Sequence, residues 1–279
     1  MSAALAGWRA SLAEVWQARE LLWQLSRRDI AIRYKQAVLG LGWAVLTPAF
    51  AVLAGLVIRL AFATQSGGRL GAAAVGGVAV KVLAWTFFSG SIGFATASLL
   101  ANASLITRIY FPREVLPLAS VVAQGFDSTI GMLLLSFALP WLGAQLTPAL
   151  LWVPLLLVLL IGFTAAAALF LSSANLFFRD VKYLVQVGLT FGVLVTPVFF
   201  EPSALGPRLG RLILLNPLAP ILEGLRLAVI DGYPLQRPGG PAGLWHPGWL
   251  LYAALWSVGG LLLAARSFRR SAAKFAEYA

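Results

Sequence analysis

Along this chain, long apolar runs alternate with short clusters of charge. A charged side chain at the bilayer centre costs about 2.5–3.5 kcal/mol on insertion scales, so charge-free stretches mark possible crossings. Five such blocks stand out: Gln36–Ile58, Val82–Thr107, Val115–Phe178, Tyr183–Phe200 and Gly248–Ala265. The third is interrupted only by Asp127, and as one helix it would be about 96 Å long at 1.5 Å per residue. It must fold back, and Pro140 to Pro148 supply the turn. The pattern predicts an all-α polytopic membrane protein with six spans, at 36–62, 79–104, 115–139, 149–174, 181–200 and 248–265.

Composition agrees with that pattern. Of 279 residues, 60% are hydrophobic and 11% charged, whereas soluble domains carry charge on about a quarter of their residues. The length leaves room for several spans but not for a sizeable soluble domain, so a single membrane domain over 1–279 is expected. A net charge of +11 does not point to nucleic acid, because the basic residues lie between apolar runs rather than on one face.

Topology explains the charge. With the N-terminus inside, the cytoplasmic side receives Arg9, Arg19, Arg27, Arg28, Arg33, Lys35, Arg108, Arg113, Arg179, Lys182, Arg266, Arg269, Arg270 and Lys274. The outer side or rim receives Arg59, Arg69, Lys81, Arg208, Arg211, Arg226 and Arg237. Both termini, including the 266–279 tail, are therefore expected in the cytoplasm. Residues 1–30 lack the pattern of a secretory signal, so the N-terminus is expected to be retained. With no Cys, disulfides and thiolate metal sites are excluded.

Three segments do not belong to a plain bundle. In 1–35, Trp8, Leu12, Val15 and Trp16 recur on one face, while Arg9, Glu14 and Arg19 lie on others. This predicts an amphipathic helix in the cytoplasmic interface, as a surface anchor or a moving gate, with Arg27, Arg28, Arg33 and Lys35 drawn to anionic lipid. The 105–114 loop is dense in aromatic and charged residues, the chemistry either of a docking knob or of a solvated turn. In 203–233, two apolar stretches too short to span are separated by Asn216-Pro217. They predict either a pair of re-entrant helices before the last span or an outer-surface hairpin.

The chemistry that is missing narrows the function. There is no Gly-Lys pair and hence no phosphate-binding loop of the G-x-x-x-x-G-K type, so any ATP drive must come from another polypeptide. The single His246 has no carboxylate or serine set around it. Asp127 is the one firm intramembrane acid, with Lys81 and Glu223 as possible partners near the outer side. That is thin material for the proton relay of an ion-coupled carrier. Asp127 reads equally as a packing residue bonded to Ser128, Thr129 or a neighbouring helix, and as a polar element of a substrate path.

Four sets of residues resemble a known family. They are Leu21-Leu-Trp-Gln-Leu-Ser-Arg-Arg-Asp-Ile30 running into Arg33-Tyr-Lys-Gln-Ala-Val-Leu-Gly40; Trp43-Ala-Val-Leu-Thr-Pro48; the run from Asn102 through Arg108-Ile-Tyr-Phe-Pro-Arg-Glu114 to Leu118; and Ala174–Tyr183 with Thr196-Pro-Val-Phe199 and Leu215-Asn-Pro-Leu-Ala-Pro220. Together they resemble the permease subunits of ABC-2 type polysaccharide exporters, which move lipid-linked O antigens, capsules and teichoic acids across the bacterial inner membrane. The resemblance implies a homodimer docked on two copies of an ATPase subunit that binds ATP and Mg, with no cofactor or catalysis in this chain. It implies coupling contacts at Ile106, Thr107, Arg108, Tyr110, Phe111, Pro112, Arg113 and Glu114. It also implies a gate region at Trp16, Trp23, Arg27, Arg28, Asp29, Arg33 and Tyr34 near the lipid headgroups, and a re-entrant turn at Asn216 and Pro217. Exporters of drugs or small lipids share this layout and stand as the alternative; an ion-coupled secondary transporter fits less well.

Overall fold

The computed structural model describes residues 14, 16–35, 38–40, 42–65, 71–109, 111–240, 243–272 and 274–278. The expected interfacial stretch around Trp8, Leu12 and Val15, and Tyr110 in the loop, lie outside the described residues. Those described form helices and their connections, with a single isolated β-bridge, Gly239 with Trp245.

Helix α1 (Arg19–Tyr34) has Glu20 in its first turn and Arg33 in its last, the charge order that the helix dipole favours. It does not lie across the bundle end. Ser26 reaches the carbonyl of Ala119, and one to two turns later Arg33 and Tyr34 reach Asp127, so α1 follows the first half of α5 (Val115–Ala138) in the same direction. After α1 the chain turns through Gly40, whose φ of +46° is left-handed and suits glycine. For that reason α2 (Gly42–Gln65) begins at Gly42 rather than at Gln36.

Helix α3 (Ala72–Ala101) is the central post, about 45 Å long at 1.5 Å per residue. It packs against α2, α5, α6 (Trp152–Phe177), α7 (Val181–Val195) and α9 (Leu218–Val229). A short helix, α4 (Ala103–Arg108), follows Asn102, whose side chain bonds back to the Ser98 carbonyl and marks the break. Helix α6 is led in by a 3-10 turn at Pro148–Leu151, with the Thr147 hydroxyl accepting from the Ala149 N–H.

Helix α7 stops at Val195 because Thr196 precedes Pro197, which disfavours helical backbone in the residue before it; Thr196 is extended at ψ 138°. Its 15 residues rise only about 22 Å, against a hydrocarbon core of about 30 Å. Helices α2, α3, α5, α6 and α10 (Gly248–Ala272) are long and apolar enough to cross. Helix α10 contains a π-helical turn at Leu255–Gly259, and a short α11 (Phe275–Tyr278) follows it.

Between α7 and α10 lie α8 (Gly206–Leu214) and α9, the latter buried at every position. Glu223 of α9 faces Lys81, Arg226 lies against Gly77 and Ile230 against Gly76, so α9 runs antiparallel to the first part of α3. Two apolar clusters result. One, around Val82, Ile92, Leu156, Leu160, Ile221 and Leu222, joins α3, α6 and α9; the other, around Leu99, Ile106, Val115, Leu176, Phe268 and Phe275, lies at the end where α4 sits.

Candidate functional site

Two residues of the expected gate region, Arg33 and Tyr34, form one site with Asp127, which was treated separately in the sequence. Asp127 sits twelve residues into α5, and its two carboxylate oxygens accept from Arg33 at 2.7 Å and from the Tyr34 hydroxyl at 2.7 Å. Arg33 also donates to the Gln124 side chain at 2.9 Å and stacks over the Phe94 ring, 3.7 Å from its centroid. Burial, then the bond to the Asp127 carboxylate, push the Tyr34 phenol well above its usual range, so the hydroxyl stays protonated and donates. Neither Ser128 nor Thr129 serves Asp127: Thr129 bonds to the Gly125 carbonyl, and the buried Ser128 hydroxyl has no hydrogen-bond partner among the described residues.

Beside this seam lies a cleft of about 530 Å³ between α1, α2, α3 and α5. Tyr34, Trp43 and Phe94 give it aromatic walls, and Thr47, Thr86, Ser89, Gln124 and Ser128 give it neutral polar groups. Among the described residues its one lining cation, Arg33, is neutralised by its one lining acid, Asp127. Gly90 makes this packing possible, since a Cβ there would come within 2.6 Å of the Gln124 side chain.

The other gate residues spread along α1. Arg28 bridges Asp29 at 3.0 Å and Asn102 at 2.9 Å, which ties α1 to the end of α3. Arg27 is exposed, as are Trp16 and Trp23 at 70% and 58%, positions suited to a headgroup interface.

A second polar centre was only partly visible in the sequence. Lys81, fully buried, lies 3.8 Å from Glu223 and also donates to the Phe200 carbonyl. Arg226 donates twice to Glu223, at 3.0 and 2.8 Å, and once to Asp231 at 2.9 Å; Arg59 pairs with Glu201. Three cations thus balance three acids, linking α2, α3, α9 and the segment after α7. Burial opposes ionisation of Glu201, but Arg226 and Arg59 outweigh it and hold the carboxyl below its usual range. At Asp231 burial prevails over Arg226, and the carboxyl is raised. At the start of α9, Asn216 accepts from the Leu218 N–H at 3.1 Å and donates to the Thr196 hydroxyl at 2.9 Å. The helix break at Asn216-Pro217 is thereby capped by side chains.

The loop residues divide by orientation. Thr107, Arg108 and Ile109 are exposed, Ile109 at 59%, whereas Ile106 is buried. Phe111, Pro112, Arg113 and Glu114 are half-buried; Arg113 donates to the Ala272 carbonyl and Glu114 accepts from Arg269 at 3.2 Å. Gln124, Phe94, Asn102, Arg59, Glu201, Asp231 and Arg269 are site residues that sequence reasoning missed. For Gln124 a signal existed, since it stands three residues before Asp127 and hence on the same face of α5.

Comparison with known proteins adds relatives to this geometry. The family described as ABC-2 type transporter matches residues 20–230. An O-antigen export system permease protein RfbA of Klebsiella pneumoniae is 28% identical over 219 residues, covering 76% of this chain and 81% of that protein. A protein of the same name from Myxococcus xanthus is 26% identical over 211 residues, covering 75% and 80% respectively.

Proposed function

Because the chain belongs to the ABC-2 type transporter family, we propose that it is the permease subunit of an ATP-driven exporter of a lipid-linked polysaccharide, such as an O antigen or capsule. The observation behind this reading is the match over three quarters of the chain to relatives named as O-antigen export permeases. The chain is a multi-pass membrane protein of the bacterial inner membrane with both termini in the cytoplasm. It works as a homodimer on two copies of a nucleotide-binding subunit, which supplies the site for ATP and Mg.

The cleft beside Asp127 has chemistry that suits such a substrate. Hydroxyl and amide groups with aromatic walls match the hydroxyls and C–H faces of sugar rings. Its cation is internally compensated, so a polar neutral chain meets no strong charge that would hold it in place. Closure of the ATPase dimer pushes on the exposed Thr107–Ile109 face, and the spans shift between two packed arrangements around the path.

The test is reconstitution with the ATP-binding subunit in proteoliposomes and measurement of lipid-linked glycan delivered across the bilayer. ATP-dependent delivery is expected. Translocation of small lipids or drugs without any glycan would replace this reading by the alternative, and transport by this chain without the ATPase would overturn both.

A further inference from the structure

The loop between α3 and α5 is held from behind by the end of α10 and by α11. Arg113 donates to the Ala272 carbonyl and lies over the Phe275 ring at 5.9 Å. Glu114 accepts from Arg269 at 3.2 Å. Phe275 is 0% exposed, edge-on to Phe268 at 5.0 Å and tilted against Phe177 at 5.9 Å. Phe177 meets Tyr278 edge-on at 5.0 Å, and Ile106 of α4 joins the same apolar cluster.

A helix as short as α11 is unstable alone, because nucleation costs more than one turn returns. Its order comes from this seat. The contacts also differ in kind: an ion pair, a bond to backbone and an aromatic nest meet the returning arm of the loop, while its Thr107–Ile109 face is left open. An unsupported loop bends under load. This one passes a push applied at Ile109 to the end of α10 as well as to α3 and α5, which flank it in the chain.

We infer that Arg269 and Phe275 are positioning residues that clasp the coupling loop to the last span, so that the loop and the end of α10 move as one body when the ATPase subunit closes. This rests on the reading of the loop as the ATPase docking site.

The experiment uses the complete complex in proteoliposomes with a lipid-linked glycan. Phe275→Ala and Arg269→Gln are expected to bind the ATP-binding subunit with unchanged affinity and to hydrolyse ATP. They should nevertheless export roughly fivefold less glycan per ATP, the lower range for coupling between distant sites. Exchanging the ion pair, Glu114→Arg with Arg269→Glu, is expected to restore most of what Arg269→Gln loses. Unchanged glycan per ATP in both single variants overturns the clasp. So does an exchanged pair no better than Arg269→Gln, or a fall in subunit affinity that accounts for the whole defect. Failure of the underlying reading looks different, because the wild-type complex would then bind no ATPase subunit or export no glycan.

Discussion

Arg33 and Asp127, 94 positions apart in sequence, meet at 2.7 Å and fasten the end of α1 to the middle of α5. Their side chains are only 13% and 12% exposed, so deleting one charge strands the other away from water. Asp127→Asn is expected to cost about 3–5 kcal/mol, the range for breaking a buried pair. Arg33→Gln together with Asp127→Asn should recover part of that loss. Unfolding of the four proteins of this cycle in detergent reads the coupling, and a single variant within about 0.5 kcal/mol of wild type would contradict it.

The charge cluster around Lys81, Glu223 and Arg226 should respond more sharply to losing an acid than to losing a pair. Glu223→Gln leaves Lys81 buried without its ion-pair partner and Arg226 paired directly with Asp231 alone. A loss of about 3–5 kcal/mol is expected, and Lys81→Met in the same protein should return part of it. Thermal unfolding in detergent decides, and equal stability of Glu223→Gln and the double variant would refute the balance of charge described here.

Acid should spare the Arg59–Glu201 pair longer than an ordinary carboxylate. The folded-state pKa of Glu201 is depressed, so its stabilisation is fully present above the unfolded value of about 4.3. It is lost only as pH falls through the lower folded value. The difference in melting temperature between wild type and Glu201→Gln should therefore hold from neutrality down to about pH 4.3 and then shrink. A difference that grows on acidification would reverse the sign and reject the assignment.

Ile109 stands 59% exposed beside Thr107 and Arg108. As an anchor in the ATPase subunit, its change to Glu is expected to weaken subunit binding by about 1–2 kcal/mol. Titration of the purified subunit onto the variant in nanodiscs measures this; full affinity would move the docking face elsewhere.

Much of the fold was legible because lipid is a strict solvent: charge-free runs such as Gly248–Ala265 coincide with helix. Local chemistry was legible where the cause is local, as at Asn216-Pro217. What escaped was partner choice. Periodicity tells which face Asp127 occupies but not that Arg33 would fold back to it, and its sequence neighbours Ser128 and Thr129 were equally plausible donors. Lys81 and Glu223 were recognised as possible partners, yet Arg59 and Arg226 read as ordinary rim charges and Glu201 and Asp231 were not singled out, since nothing in their own neighbourhoods marks them as meeting. The same holds for Arg113 and Glu114, whose sequence context suggests exposure while the folded tail covers them.

A π turn spends one more residue than an α turn on the same climb, which rotates everything beyond it by about 100°. At Leu255–Gly259 that offset separates Tyr252, whose hydroxyl meets the Leu215 carbonyl, from Arg269, which meets Glu114. Forcing the same residues into unbroken α geometry, with none removed, would swing one of these two contacts more than a quarter of the way round the axis. The inserted residue lets a single rod address neighbours in two different directions at its two ends.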